Sequence, residues 1–224
     1  MINKIVAGTR EAVADIKDGA TVMLGGFGPA GIPFNLIQAL LEQGARQLTV
    51  ICNAVSQPAP LIENRRVRKL IASFPVWVER SRANPLDEQC ATGEIVLEIV
   101  PQGTLAERIR AGGAGIAAFY TPTGVGTELE QGKEKRVIDG REYLLEWALK
   151  ADVALIKAYK SDRMGNLVYH ATARNYNPVM ATAANLTIAE VEEIVDVGQL
   201  DPETIVTPGI FVDRVVKVPK RSQG

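Results

Sequence analysis

The chain has 224 residues, 46% of them hydrophobic and 23% charged, with 25 Lys and Arg against 26 Asp and Glu and a formal net charge of −1. That is the composition of a globular protein with enough chain to bury a core without disulfides or structural metals, and it excludes the disordered and fibrous classes. So even a balance gives no long-range field toward nucleic acid or an acidic membrane, and no stretch is polybasic. Cys52 and Cys90 lie far apart in apolar surroundings and read as reduced packing residues. With one histidine, His170, they build no metal site from the usual soft ligands, so none is expected. The sequence opens Met1-Ile2-Asn3-Lys4 with no apolar h-region, and no apolar run reaches spanning length; the expected location is cytoplasmic.

Thr9 is placed to cap a first helix whose Ala12, Val13 and Ile16 share a face, with Asp18-Gly19 as its stop. Val22-Met23-Leu24 reads as a strand and Gly25-Gly26-Phe27-Gly28-Pro29-Ala30-Gly31 as a loop. A helix follows, with apolar face Leu36, Ile37, Leu40 and Leu41, Pro33 suited to its first turn and Gly44 at its end. Strands continue at residues 48–52, 69–74 and 95–100, and helices begin near Asn84-Pro85 and at Thr104. Thr104-Leu105-Ala106-Glu107 has the spacing of a capping box, and that helix closes at Gly112-Gly113. Asp139-Gly140, between Arg136-Val137-Ile138 and Tyr143-Leu144-Leu145, signals a hairpin. A strand at residues 153–158, a turn over 162–166, a helix over 178–189 and strands at 194–197 and 215–218 complete the series. The expected fold is α/β: a single domain over residues 1–219, with a mostly parallel sheet flanked by helices and a local antiparallel hairpin region, then a polar tail over 220–224.

Ligands of such sheets bind beyond the carboxyl ends of the strands, where the loop of residues 25–31 falls. The loop offers backbone amides free of side chains at a helix N-terminus, whose partial positive charge suits a polyphosphate or an acyl-CoA. It lacks the Lys-Ser/Thr ending of a P-loop and the G-x-G-x-x-G spacing, which argues against NTP and NAD. On spacing alone, a tight strand-to-helix turn that needs glycine only for its backbone has equal standing. His170 reads as a surface or packed residue rather than a general base. Glu98, alternating with Val96 and Val100, reads as the solvent side of a strand end or an intersubunit ion pair rather than an acid in a cleft. Trp77 and Trp147 have no basic companions and read as core or interface packing.

The run Asp18-Gly19-Ala20-Thr21-Val22-Met23-Leu24-Gly25-Gly26-Phe27-Gly28-Pro29-Ala30-Gly31-Ile32-Pro33 resembles the first signature of the A subunits of the family I CoA-transferases, of the succinyl-CoA:3-oxoacid and 3-oxoadipate type. Pro101-Gln102-Gly103-Thr104 and the residues that follow, Phe119-Tyr120-Thr121-Pro122-Thr123-Gly124, Ala173-Arg174-Asn175-Tyr176-Asn177-Pro178 and Thr207-Pro208-Gly209-Ile210-Phe211-Val212 carry the resemblance across the chain. It implies transfer of CoA from succinyl-CoA to a 3-oxoacid, 3-oxoadipate or acetoacetate, by a ping-pong route through a glutamyl-CoA thioester. The CoA thioester enters as substrate and no cofactor is implied. The family's nucleophilic glutamate lies in a Ser-Glu-Asn-Gly segment of a separate B subunit. This chain has no such segment, and Glu63-Asn64 reads as surface helix or turn. The chain is therefore expected to carry no catalytic nucleophile, to be inactive alone and to work with a CoA-transferase B subunit in an α2β2 or similar hetero-oligomer.

By the same resemblance, Gly25, Gly26, Phe27, Gly28, Pro29, Ala30 and Gly31 line the CoA and acyl site. Gln102 matches a glutamine near the reacting thioester, an assisting role to be weighed against simple capping of the helix that follows. Asn53 matches the first asparagine of a Ser-Asn-Asn-Ala-Gly stretch, from which Ala54 and Val55 depart, and residues 57–82 are unlike acetoacetate-using members. Two rivals remain: an acyl-CoA hydrolase subunit, which would release free CoA, and a non-catalytic acyl-CoA-binding regulator, which would need no partner.

Overall fold

The computed structural model describes residues 2–77 and 84–219, so the tail at 220–224 and positions 78–82 of the 57–82 stretch lie outside the described residues. In chain order the elements are α1 (Thr9–Val13), β1 (Thr21–Leu24), α2 (Phe34–Gln43), β2 (Leu48–Ala54), α3 (Ala59–Glu63), β3 (Val67–Phe74), α4 (Pro85–Ala91), β4 (Val96–Ile99) and α5 (Gln102–Gly113). There follow β5 (Ala118–Thr121), β6 (Lys135–Ile138), β7 (Arg141–Trp147), β8 (Ala151–Lys157), β9 (Lys160–Asp162), β10 (Leu167–Val168), α6 (Asn177–Thr182), β11 (Ala184–Val191), β12 (Glu193–Val195) and β13 (Arg214–Lys217).

Successive residues of a strand point to opposite faces, so an unbroken apolar strand needs cover on both. Val22, Leu24, Val50, Cys52, Leu70 and Leu155 face one core, under Val13 of α1, Leu36 and Leu40 of α2, Leu61 of α3 and Leu86 of α4. Met23, Ile51, Ile71, Ala154 and Ile156 face the other, under Leu105 and Ile109 of α5 and Met180 of α6. Their strands form one parallel sheet in the order β13-β11-β8-β1-β2-β3-β4. Both cores share that sheet, so the fold is the expected single α/β domain. The expected hairpin is present: β6 and β7 pair antiparallel across Asp139 (φ +50°) and Gly140 (φ +77°), the two left-handed positions of a type I′ turn. With β5 they form a small sheet, and β10, β9 and β12 form another. Among the described residues no helix is long and apolar enough to cross a membrane.

Three local expectations are corrected. The helix expected over 178–189 stops at Thr182, and residues from Ala184 form β11, paired on one side with β8 and on the other with β13. Pairing on both edges outweighs the helical preference of its alanines. The helix expected to start at Thr104 starts at Gln102 behind Pro101; Thr104 lies inside it with a buried hydroxyl that has no partner, and Glu107 pairs with Arg110 at 2.7 Å, so no capping box forms. Gly8, not Thr9, precedes α1, which ends at Val13, short of Asp18-Gly19. Trp77 packs against the first core as expected, and Trp147, 62% exposed, lies outside both cores, which leaves interface packing as its reading.

Candidate functional site

The carboxyl ends of β1 to β4 set the site. Beyond β1, Gly25 N–H still bonds the β8 carbonyl of Leu155 at 2.9 Å, and the chain then folds back so that Phe27 and Ala30 exchange backbone bonds of 3.0 and 3.1 Å. Gly28 stands at the tip with φ +53° and open space where a Cβ would point, beside a 44% exposed Phe27. Asn53, near the end of β2, is 2% exposed, and Gln102 opens α5 just past β4. The two meet: Gln102 Nε2 donates to Asn53 Oδ1 at 2.9 Å. The Gln102 side chain thus bonds across the site and not to a helix amide, against the capping role. One amide hydrogen of Gln102 stays available to an oxygen placed between β2 and β4, as does the Asn53 amide.

Sequence reasoning missed the group that holds the loop. Gln57, 1% exposed, donates through Nε2 to the carbonyls of Leu24 (2.9 Å), Gly25 (2.7 Å) and Gly26 (3.2 Å), while its Oε1 accepts Ala54 N–H at 2.8 Å. It ties the glycine loop to the strand end that carries Asn53. A glutamine shortly past the strand, ahead of Pro58, was the only local signal.

The glycines divide between the two readings the spacing left open. A Cβ on Gly25 would lie 1.9 Å from Asn177 Oδ1, and one on Gly31 would lie 2.7 Å from Asn177 Nδ2 and 2.9 Å from the Ala173 carbonyl. These two are glycine because the protein packs against them. Gly28 meets nothing within 4 Å and faces open space.

The α2 N-terminus is not left for a ligand, which corrects the expectation of an anion site there. Leu36 N–H donates to Glu190 Oε2 at 2.9 Å, and Asn35 Nδ2 donates to Oε1 at 3.0 Å. Glu190, on β11, is 1% exposed, with the Lys157 ammonium 3.7 Å away; burial pushes its carboxyl above the usual range, against the pull of Lys157 and the Leu36 amide. Glu190→Ala is expected to cost about 3 kcal/mol of unfolding free energy, because it strands that N–H and leaves the half-paired ammonium beside a cavity. Urea denaturation checks this, and a loss below about 1 kcal/mol contradicts it.

Glu98 lies partly exposed on the edge strand β4 and is no free acid in a cleft. It bonds Lys69 at 2.7 Å and Arg108 at 2.8 Å within this chain. Burial works against its charge, but Lys69 and Arg108 outweigh it and hold the carboxyl below the usual range. Such a group stabilises the fold above its unfolded pKa, and that contribution fades as pH falls through the folded value. Glu98→Gln should therefore cost about 1 kcal/mol at pH 7, shrinking as pH drops below about 4. Urea titrations at both pH values test this; a pH-independent cost would contradict it.

His170 is exposed, its ring 5.6 Å from that of Tyr159, on a cleft of about 330 Å³ bordered by Gly31, Lys157 and Glu192. It is not brought to Asn53 or Gln102. Cys52 is buried and free, and burial pushes its thiol up, which suits packing and not nucleophilic chemistry. Glu63 and Asn64 are exposed at the end of α3, as expected for surface residues.

The carboxyl ends of β1 to β4 thus bring side-chain amides and glycine backbone together at the end of a parallel sheet, where α/β proteins bind their ligands. Residues 7–218 match the family described as Coenzyme A transferase, and the chain belongs to that enzyme family. It is 53% identical over 222 residues to the A subunit of a 3-oxoadipate CoA-transferase of Pseudomonas putida, covering 97% of this chain and 95% of that protein. It is 48% identical over 219 residues to the A subunit of a probable succinyl-CoA:3-ketoacid coenzyme A transferase of Bacillus subtilis, covering 96% and 90%. The fold is that of an acyl-CoA transferase of Escherichia coli O157:H7 in thioester complex with CoA, with a TM-score of 0.84 at 24% identity; 99% of this chain spans 48% of that one.

Proposed function

We propose that the chain is the A subunit of a cytoplasmic, heteromeric CoA-transferase that moves CoA from succinyl-CoA to a 3-oxoacid, 3-oxoadipate or acetoacetate. A separate B subunit supplies the nucleophilic glutamate, in an α2β2 or similar assembly. The observation that carries this reading is the Gln102–Asn53 amide pair beside the glycine loop, in a chain 53% identical to the A subunit of a 3-oxoadipate CoA-transferase.

The chemistry proceeds by exchange at a carboxyl carbon. The partner's glutamate attacks the thioester carbonyl and expels CoA thiolate, giving an acyl-glutamyl anhydride. The thiolate attacks the glutamyl carbonyl, releasing succinate and leaving a glutamyl-CoA thioester, and the acceptor acid reverses these steps. The thioester is substrate, and no resident cofactor takes part. Each step passes through a tetrahedral oxyanion, and the remaining Gln102 amide hydrogen is placed to donate to it, oriented by Asn53. Phe27 and Gly28, at the open tip of the loop, border the acyl-CoA. Product analysis of the assembled enzyme tests the reading. Stoichiometric formation of a 3-oxoacyl-CoA supports transfer, whereas free CoA without acceptor turnover would make the protein a hydrolase.

A further inference from the structure

The two walls of the site come from strands that are not neighbours. The glycine loop follows β1 and Gln102 follows β4, with β2 and β3 between them, a separation of about 14 Å at ordinary strand spacing. Among the described residues no hydrogen bond joins one wall directly to the other. Three consecutive residues at the start of α6 reach both. Asn175 Nδ2 donates to the Ala30 carbonyl at 3.1 Å, and Asn177 Nδ2 to the Gly31 carbonyl at 3.0 Å. Between them, the Tyr176 hydroxyl donates to the Gln102 carbonyl at 3.0 Å.

The anchoring of this segment is firm. Asn177 is fully buried, and its Oδ1 accepts Lys157 N–H, at the end of β8, at 3.0 Å. Asn175 Oδ1 accepts Tyr176 N–H at 2.7 Å, which fixes the tyrosine relative to the loop wall. Tyr176 is 6% exposed; burial pushes its phenol up to about 12, so it remains a donor throughout the working pH range.

We propose that Tyr176 is a positioning residue: with Asn175 and Asn177 holding the glycine loop, its hydroxyl sets where Gln102 stands relative to that loop. The inference rests on the proposed role of Gln102 at the reacting thioester. An Å-scale error in the placement of a catalytic group costs orders of magnitude in rate, so a single hydrogen bond on the Gln102 backbone has leverage on turnover far from the chemistry.

The test uses the chain co-purified with its B subunit, with succinyl-CoA as donor and kcat and KM measured separately. Tyr176→Phe keeps the ring and removes only the hydroxyl; it is expected to lower kcat about tenfold and to leave KM for succinyl-CoA within about twofold. Asn175→Asp keeps the acceptor for Tyr176 N–H and loses the donor to Ala30; it is expected to raise KM about fivefold, because it frees the loop wall. In a Gln102→Ala background Tyr176→Phe should add less than a further twofold loss, since its effect passes through Gln102. Fully additive losses, or a Tyr176→Phe enzyme with wild-type kcat while Gln102→Ala is slow, would overturn the positioning role and spare that of Gln102. A Gln102→Ala enzyme with wild-type kcat would overturn both. The same change of kcat and KM in both single variants would indicate general loosening and overturn the proposal, as would a Tyr176→Phe chain too unstable to assemble alongside a normal split in Asn175→Asp.

Discussion

Gln102→Ala, in the enzyme assembled with its B subunit, is expected to lower kcat by about 10²- to 10³-fold while the protein folds and assembles normally. That magnitude is the usual loss of a single preorganised donor to a tetrahedral oxyanion. Stability should change little, because the substitution removes one neutral side-chain hydrogen bond, the 2.9 Å contact to Asn53, worth about 1 kcal/mol, and alanine is a better helix former at the start of α5. The contrast between a large kinetic and a small thermodynamic effect separates chemistry from capping. A kcat within about threefold of wild type would return Gln102 to a purely local role.

The second large effect is on the fold. Gly25→Ala puts a methyl group 1.9 Å from Asn177 Oδ1 and 2.9 Å from its Cγ, a separation that only displacement of Asn177 relieves. Asn177 then loses Lys157 N–H and the Gly31 carbonyl together, in an interior with no room to repack. A destabilisation of about 3 kcal/mol or more is expected, overpacking and stranded polar groups adding to one another. Gly28→Ala is its counterpart. Nothing lies within 4 Å, so the stability cost is the left-handed backbone alone, about 1 kcal/mol, and the effect appears in KM for the acyl-CoA. Urea denaturation and steady-state kinetics on the pair check this. Equal stabilities would contradict the division of the glycines between packing and ligand.

The candidate site is legible in the sequence where its signals are local. The β1 strand, the glycine loop after it and the amphipathic α2 form one continuous stretch, and Asn53 and Gln102 are found by strand endings and by resemblance. What escaped are groups whose meaning lies in distant partners. Gln57 acts on Gly25, 32 residues away; Tyr176 acts on Gln102, 74 away; Asn177 acts on Gly31, 146 away; and Glu190 acts on Leu36, 154 away. Glu190 shows the physical reason best. A carboxylate in the strand pattern Ile188-Ala189-Glu190-Val191 gives no local sign of its partner, yet it fills the helix end that the loop had seemed to offer an anion. The misread segment 184–189 has the same origin, since its conformation is set by two flanking strands and not by its alanines.

The central claim is that this chain is half of a split transferase. The direct test is a succinyl-CoA transfer assay with 3-oxoadipate and acetoacetate as acceptors, run on the chain alone and on the chain co-purified with its B subunit. A new 3-oxoacyl-CoA is expected from the co-purified enzyme and none from the chain alone. Transfer by the isolated chain would show that a nucleophile resides here and contradict the assignment of the glutamate to the partner.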